Sequence, residues 1–236
     1  IICIKFINEV IFIKYFTMHN SIKKYNDIIN SIKLKLEEQK KKNFPKIIAV
    51  SKTFQLEKIL PLINHGHLDY GENKVQEAID KWSEIKQNNP AIILHLIGKL
   101  QTNKVKFAIK IFDYIHSVDS KKLAKKIAEE ELKQNKKIKL FLQVNIGNED
   151  QKSGVVKEDL TDLYNYCKDL KLDVVGLMCI PPVNEEPEKY FKETNLLNQK
   201  LKLPELSMGM SSDYLQAVEN SSTFLRIGSN IFGQRG

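Results

Sequence analysis

The sequence has little arginine. Two occur, Arg226 and Arg235, both near the C-terminal end, and lysines scattered over helical patterns carry the rest of the positive charge. There is no arginine-rich block and no basic stretch interleaved with aromatics, so the net charge of +8 does not by itself mark a nucleic-acid surface. Cysteine is equally scarce. Cys3, Cys167 and Cys179 are an odd number with no CxxC pair. That argues against a disulfide framework or a zinc knuckle and fits a reducing cytoplasm. No uninterrupted apolar run approaches the ~20 residues of a membrane-spanning helix. No Pro-, Gly- or Ser-rich linker, internal repeat or low-complexity block divides the chain, so one domain is expected.

What is present is an ordinary globular balance: 236 residues, 42% hydrophobic and 28% charged. A chain of this length can bury most of its apolar surface without staples. Residues 1–17 differ from the rest, with twelve apolar residues interrupted by Lys5, Glu9 and Lys14 and no signal-peptide cleavage site. Met18 follows directly. The expectation is an upstream-translated tail outside the fold, with the domain over 18–236; a membrane anchor is the alternative reading.

From Asn20 to Lys42 the apolar residues Ile22, Tyr25, Ile29, Ile32 and Leu36 recur at helical spacing, and Pro45 is expected to mark the stop. Short apolar, β-branched runs then appear at 47–51, 67–71, 92–97, 112–118, 138–146, 173–180, 205–208 and 224–227. Helical patterns separate them at 73–85, 103–110, 120–135, 157–170, 188–200 and 213–220, with Ser120 as an expected N-cap. Strand–helix alternation implies a parallel sheet, and continuous apolar strands imply cover on both faces. Eight such strands predict an α/β fold, a single (β/α)8 barrel of the TIM type. An open doubly wound sheet is the runner-up, but the first strand ends in Ser51-Lys52-Thr53, with no GxGxxG and no Walker loop.

Barrel chemistry sits at the C-terminal ends of the strands. Lys52, directly after the run IIAV, places an amine at the mouth. Partial burial there makes a lysine a better nucleophile toward a carbonyl, although a strand-end lysine can equally snorkel to solvent. The loops after strands seven and eight carry Gly209, Ser211, Ser212, Gly228 and Ser229, whose N–H groups and hydroxyls suit an anion or simple turn chemistry. A nucleophilic lysine facing a phosphate site suggests Schiff-base chemistry on a phosphorylated aldehyde or sugar.

The segments IIAVSK (47–52), YGENKVQEA (70–78), HLIGKLQTNK (95–104), SVDS (117–120), QVNIGNEDQKSGV (143–155), GLMCIPP (176–182), LSMGMSSDYLQAV (206–218) and LRIGSNIFGQR (225–235) carry a resemblance. In this order, over nearly the whole chain, they resemble the pyridoxal phosphate homeostasis proteins, the YggS or PROSC family. The resemblance implies a fold-type III barrel like the N-terminal domain of alanine racemase, with pyridoxal 5′-phosphate as cofactor. It maps the Schiff-base lysine onto Lys52, phosphate contacts onto Met210, Ser211, Gly228 and Ser229, and the pyridine-nitrogen partner onto Arg226. Asn73 and His95 fall at motif positions that line the family's cofactor pocket.

An arginine only donates hydrogen bonds, so a pyridine nitrogen paired with Arg226 stays unprotonated and is a poor electron sink. Similar racemases also have a further domain that helps to supply a second base. The resemblance therefore implies a PLP-binding protein of intracellular vitamin B6 homeostasis. It would hold PLP as an internal aldimine, without strong turnover, and exchange it with amines such as amino acids. An amino-acid racemase or related small-substrate enzyme is the alternative. No metal, nucleic-acid or membrane partner is expected, and a cytoplasmic monomer is.

Overall fold

A computed structural model describes residues 19–149 and 153–234. The expected upstream tail, residues 1–17, lies outside the described residues. Helix α1 (Asn20–Glu38) precedes β1 (Lys46–Val50). The chain continues through α2 (Leu56–Asn64), β2 (Asp69–Glu72), α3 (Val75–Asn88), β3 (Ile93–Leu96), α4 (Val105–Ile111), β4 (Tyr114–Val118), α5 (Lys121–Gln134) and β5 (Lys139–Val144). It ends with α6 (Leu160–Asp169), β6 (Asp173–Cys179), α7 (Pro187–Lys200), β7 (Glu205–Met210), α8 (Tyr214–Glu219), β8 (Phe224–Ile227) and α9 (Ser229–Phe232). All eight strands pair in parallel with their sequence neighbours. β8 returns to β1 with Phe224 beside Lys46 and Ile227 beside Ala49, which closes the barrel. The predicted (β/α)8 barrel is the observed fold.

The strands form where the sequence is continuously apolar. Ile47, Ile48 and Ala49 of β1 are buried, as is every residue of β4. Side chains alternate between the barrel interior and the helical ring. Ile48, Tyr114, Phe141, Met178 and Phe224 form a separate interior cluster, while the larger core lies between strands and helices. Ser120 caps α5, accepting from the Leu123 N–H at 3.4 Å, as expected. Its replacement by Ala would cost about 1 kcal/mol.

Two local expectations are corrected, and one helix was not expected. Helix α1 stops at Glu38 rather than running to Lys42. Lys40 adopts a left-handed φ of 54°, and the Lys41 N–H reaches back to the Leu36 carbonyl at 2.9 Å, so the helix ends before Pro45 acts. Helix α2 carried no clear signal, because Pro61 lies inside it and Gln55 provides no side-chain cap. β7 extends two residues further, to Met210.

That extension contains a bulge. Ser207 pairs with Phe224 and Met210 with Arg226, so β7 spends one more residue than β8 over the same span. Gly209 sits inside it at φ 85°, and a Cβ there would lie 2.6 Å from the Ala217 Cβ. Only glycine fits both the dihedral and the space. Among the described residues, no helix is long and apolar enough to cross a membrane.

Candidate functional site

A cavity of about 570 Å³ opens at the C-terminal ends of β1, β2, β7 and β8. It gathers Lys52 from the first strand end, Asn73 from the second, Met210 and Ser211 from the seventh, and Arg226, Gly228 and Ser229 from the eighth. Seven of the eight residues that the family resemblance maps onto the cofactor site thus share one cavity. Phe54, Ile97 and Ile180 add an apolar wall. The ionisable side chains that line it are Lys52 and Arg226, with no carboxylate among the described residues.

Lys52 stands on a turn clamped from both sides. Before it, Ser51 donates its hydroxyl to Glu72 Oε1 at 2.7 Å. After it, the Thr53 N–H donates to Glu77 Oε1 at 2.5 Å, with Thr53 in a left-handed conformation at φ 66°. Lys81 ties the two carboxylates together. Its Nζ lies 3.0 Å from Glu72 Oε1, 3.1 Å from Glu77 Oε1 and 2.9 Å from the Ser51 carbonyl, so all three ammonium protons are used. The Trp82 indole N–H adds a further donor to Glu72 Oε1 at 2.9 Å. Partial burial pushes the Glu77 carboxyl up, but the Thr53 N–H and the Lys81 ammonium overcome it and hold it below the usual range. Gly98 lets the loop after β3 lie against this corner, because a Cβ there would be 2.4 Å from the Asn73 carbonyl.

Across the mouth, Ser211 joins the last two loops. Its Oγ accepts from the Gly228 N–H at 3.2 Å and the Asn230 N–H at 3.4 Å. The Met210 N–H donates to Asp213 Oδ1 at 2.6 Å. The backbone donors of Met210 and Gly228 are therefore engaged with the protein's own side chains. Ser211, Ser212 and Ser229 bring hydroxyls to the cavity, and Ser229 opens helix α9, where a backbone N–H has no intrahelical partner.

Arg226 is 4% exposed and points from β8 into the barrel mouth. Its Nη1 donates to the Ser207 carbonyl at 2.6 Å and the Ser207 hydroxyl at 2.7 Å, and Nη2 donates to the Cys179 carbonyl at 2.9 Å. Those bonds use three of the five guanidinium N–H groups and leave two for a ligand. Burial lowers the guanidinium pKa, with nearby Cys179 and Asp213 acting against it, yet an arginine starts high enough to stay charged. Burial pushes the Cys179 thiol up to about 11, so it remains a neutral neighbour.

The eighth picked residue, His95, is elsewhere. It is fully buried inside the barrel, stacked on Tyr114 with centroids 4.6 Å apart, and its Nε2 lies 3.0 Å from Asp69 Oδ1. The expectation that it lines the cavity is corrected by strand geometry. Inward side chains recur every second residue, so the mouth position after β3 belongs to Ile97 and His95 sits one layer below. Sequence reasoning gave no role to Ser51, Glu72, Glu77 and Lys81 around Lys52, or to Ser207 and His116 beneath Arg226. Polar residues of inward parity on apolar strands were the available signal for Ser207 and His116.

The residues fit a phosphorylated aldehyde such as PLP. Several hydroxyls and two cations, a primary amine and a donor-only guanidinium with unused N–H groups, converge on a cavity that no carboxylate lines among the described residues. Residues 31–236 match the family model described as the alanine racemase N-terminal domain. The pyridoxal phosphate homeostasis protein of Aquifex aeolicus is 40% identical over 203 residues, which span 82% of this chain and 88% of that protein. The chain belongs to the pyridoxal phosphate homeostasis protein family. The mouse family member is 35% identical over 211 residues, covering 81% of this chain and 77% of that one. The solved structure of PipY of Synechococcus elongatus with PLP bound is 34% identical with a TM-score of 0.75, over 86% of this chain and all of that one. The alanine racemase of Clostridium difficile 630 shares the fold at 18% identity and a TM-score of 0.68, over 87% of this chain and 55% of the racemase.

Proposed function

We propose that this protein binds PLP in the mouth of the barrel, holds it through Lys52 and passes it to amine acceptors, as a carrier in vitamin B6 homeostasis. The observation that carries this reading is the lining of the cavity: Lys52 and Arg226 are its ionisable side chains, and no carboxylate lines it among the described residues. That lining favours a ligand with a dianionic end and an electrophilic end.

When bound, PLP supplies an aldehyde with which a primary amine condenses reversibly. Lys52 provides that amine, on a turn held by Glu72, Glu77 and Lys81. Ser211 and Ser229 would hold the phosphate end beside the Gly228 turn, and Arg226 would donate a hydrogen bond to the ring nitrogen. Asn73 and the apolar wall of Phe54, Ile97 and Ile180 flank the ring. Release follows when an incoming amine, amino acids among them, takes the place of Lys52, which leaves as the free amine.

Carriage is favoured over racemisation by the same lining. Two-base racemisation needs a second proton-transfer group, and no His, Tyr, Cys, Asp or Glu lines the cavity among the described residues. The unpaired buried thiols of Cys167 and Cys179 suit a cytoplasmic protein, and we take the working form to be a monomer.

The test compares PLP with pyridoxal, which lacks the phosphate, by absorbance titration. The reading requires saturable uptake of PLP, much weaker uptake of pyridoxal, and competition by inorganic phosphate. Equal affinity for both would remove the phosphate site from the account.

A further inference from the structure

Beneath Arg226 a line of buried polar side chains runs through the barrel. Ser207 Oγ lies 2.8 Å from His116 Nδ1, His116 Nε2 lies 3.0 Å from His95 Nδ1, and His95 Nε2 lies 3.0 Å from Asp69 Oδ1. Ser207, His95 and His116 are fully buried, and Asp69 opens β2 at the opposite end of the barrel. Nothing in the carrier function described above uses these four residues.

The two ends of the line fix its direction. Arg226 can only donate, so Ser207 Oγ accepts from it. The serine hydroxyl then has its own proton to place, and His116 Nδ1 is the acceptor within reach. His116 must therefore be neutral, with its proton on Nε2, and donates to His95 Nδ1. His95 in turn carries its proton on Nε2 and donates to the Asp69 carboxylate, which can only accept. The reverse order fails twice: it sets a bare nitrogen against a carboxylate and strands a serine proton in a dry core. Stacking fixes both rings in plane, His116 on Phe141 at 4.3 Å and His95 on Tyr114 at 4.6 Å.

We propose that Ser207, His116, His95 and Asp69 form a one-way hydrogen-bonded chain that holds the pose of Arg226, and are thereby positioning residues for the ring-nitrogen end of the cofactor. The inference rests on Arg226 meeting that nitrogen. Its physical content is rigidity. Ser207 receives the guanidinium at two atoms, and each later bond removes a rotation from the one before it. A guanidinium with a single pose holds its two remaining N–H groups at fixed positions in the cavity, so less order has to be gained on binding.

The test has two arms on the full chain. Long-range proton–nitrogen spectra of histidine-labelled protein, recorded without PLP, read the tautomers directly. The chain requires a proton on Nε2 and none on Nδ1 for both His95 and His116, with Ser207→Ala releasing His116 from that form and Ser207→Thr restoring it. A proton on Nδ1 of either wild-type ring overturns the proposal. In the second arm, PLP-loaded protein is mixed with an excess of an amine acceptor. Ser207→Ala is expected to release PLP roughly threefold to tenfold faster, the net range of one typical hydrogen bond, because the Arg226 Nη1 bond to the Ser207 carbonyl remains, and Ser207→Thr at the wild-type rate. An unchanged release rate in folded Ser207→Ala overturns the positioning role. Should Ser207→Ala not fold, Asp69→Ala cuts the chain at its far end and must release the His95 ring from its Nε2-protonated form and speed PLP release; the absence of these two changes overturns the proposal equally. If wild-type protein takes up no PLP, the carrier reading fails, and the histidine spectra still decide the chain.

Discussion

Glu72 accepts the hydroxyl proton of Ser51 at 2.7 Å, and Ser51 directly precedes Lys52. The carboxylate is fully buried, and its charge is met by Lys81, whose side chain is 10% exposed. The amine at the mouth thus owes its placement to an ion pair behind the strand end. Lys81→Met leaves the Glu72 carboxylate buried without its cation. Breaking such a pair costs about 3–5 kcal/mol, so urea unfolding should show a loss of this order. PLP uptake by the surviving folded protein should fall as the Lys52 turn loosens. Unaltered stability and uptake would separate this network from the site.

Gly209 carries a sharper steric prediction. Alanine at this position needs φ 85°, with its Cβ 2.6 Å from that of Ala217. Strain and overpacking together should cost on the order of 2–4 kcal/mol. Because the bulge directs Met210 and Ser211 to the mouth, Gly209→Ala should also weaken PLP binding. Thermal unfolding with and without PLP measures both. A variant as stable as wild type would show that the bulge relaxes freely.

The buried histidines make stability depend on pH. Burial holds His95 below 6.5, against the pull of Asp69 and Asp113 and with the push of Lys46. Burial also holds His116 well below 6.5, reinforced by His95 and Arg226. As pH falls through ~6.5 the unfolded chain takes up protons on these rings and the native chain does not. Their contribution is complete above that pH and is lost below it, by about 1.4 kcal/mol per pH unit for each ring that stays neutral. Urea midpoints at pH ~7.5 and ~5.5 should therefore differ by a measurable margin. Equal midpoints would contradict neutral rings in the native barrel.

Much of this molecule was legible in its sequence because parallel barrels write themselves plainly. Runs such as IIAV and FLRI are buried on both sides, and their C-terminal ends must meet at one mouth. Lys52 and Ser211 could be brought together on that basis, and the family resemblance added Asn73 and Arg226. What could not be read was depth and partnership. His95 and Ile97 share inward parity on the same strand, and the sequence does not say which of them reaches the mouth. The Glu72–Lys81–Glu77 clamp joins β2 and α3 to the turn after β1, and no local pattern announces such a contact. Met210 looked like loop chemistry until the bulge placed it on β7.

The most direct measurement fixes the cofactor chemically. Protein loaded with PLP is reduced with borohydride, digested and analysed by mass spectrometry, with Lys52→Ala alongside. The account predicts one reduced pyridoxyl group per chain, on Lys52, and none at any stoichiometric level in Lys52→Ala. Label distributed over surface lysines, or a single labelled lysine other than Lys52, would contradict it.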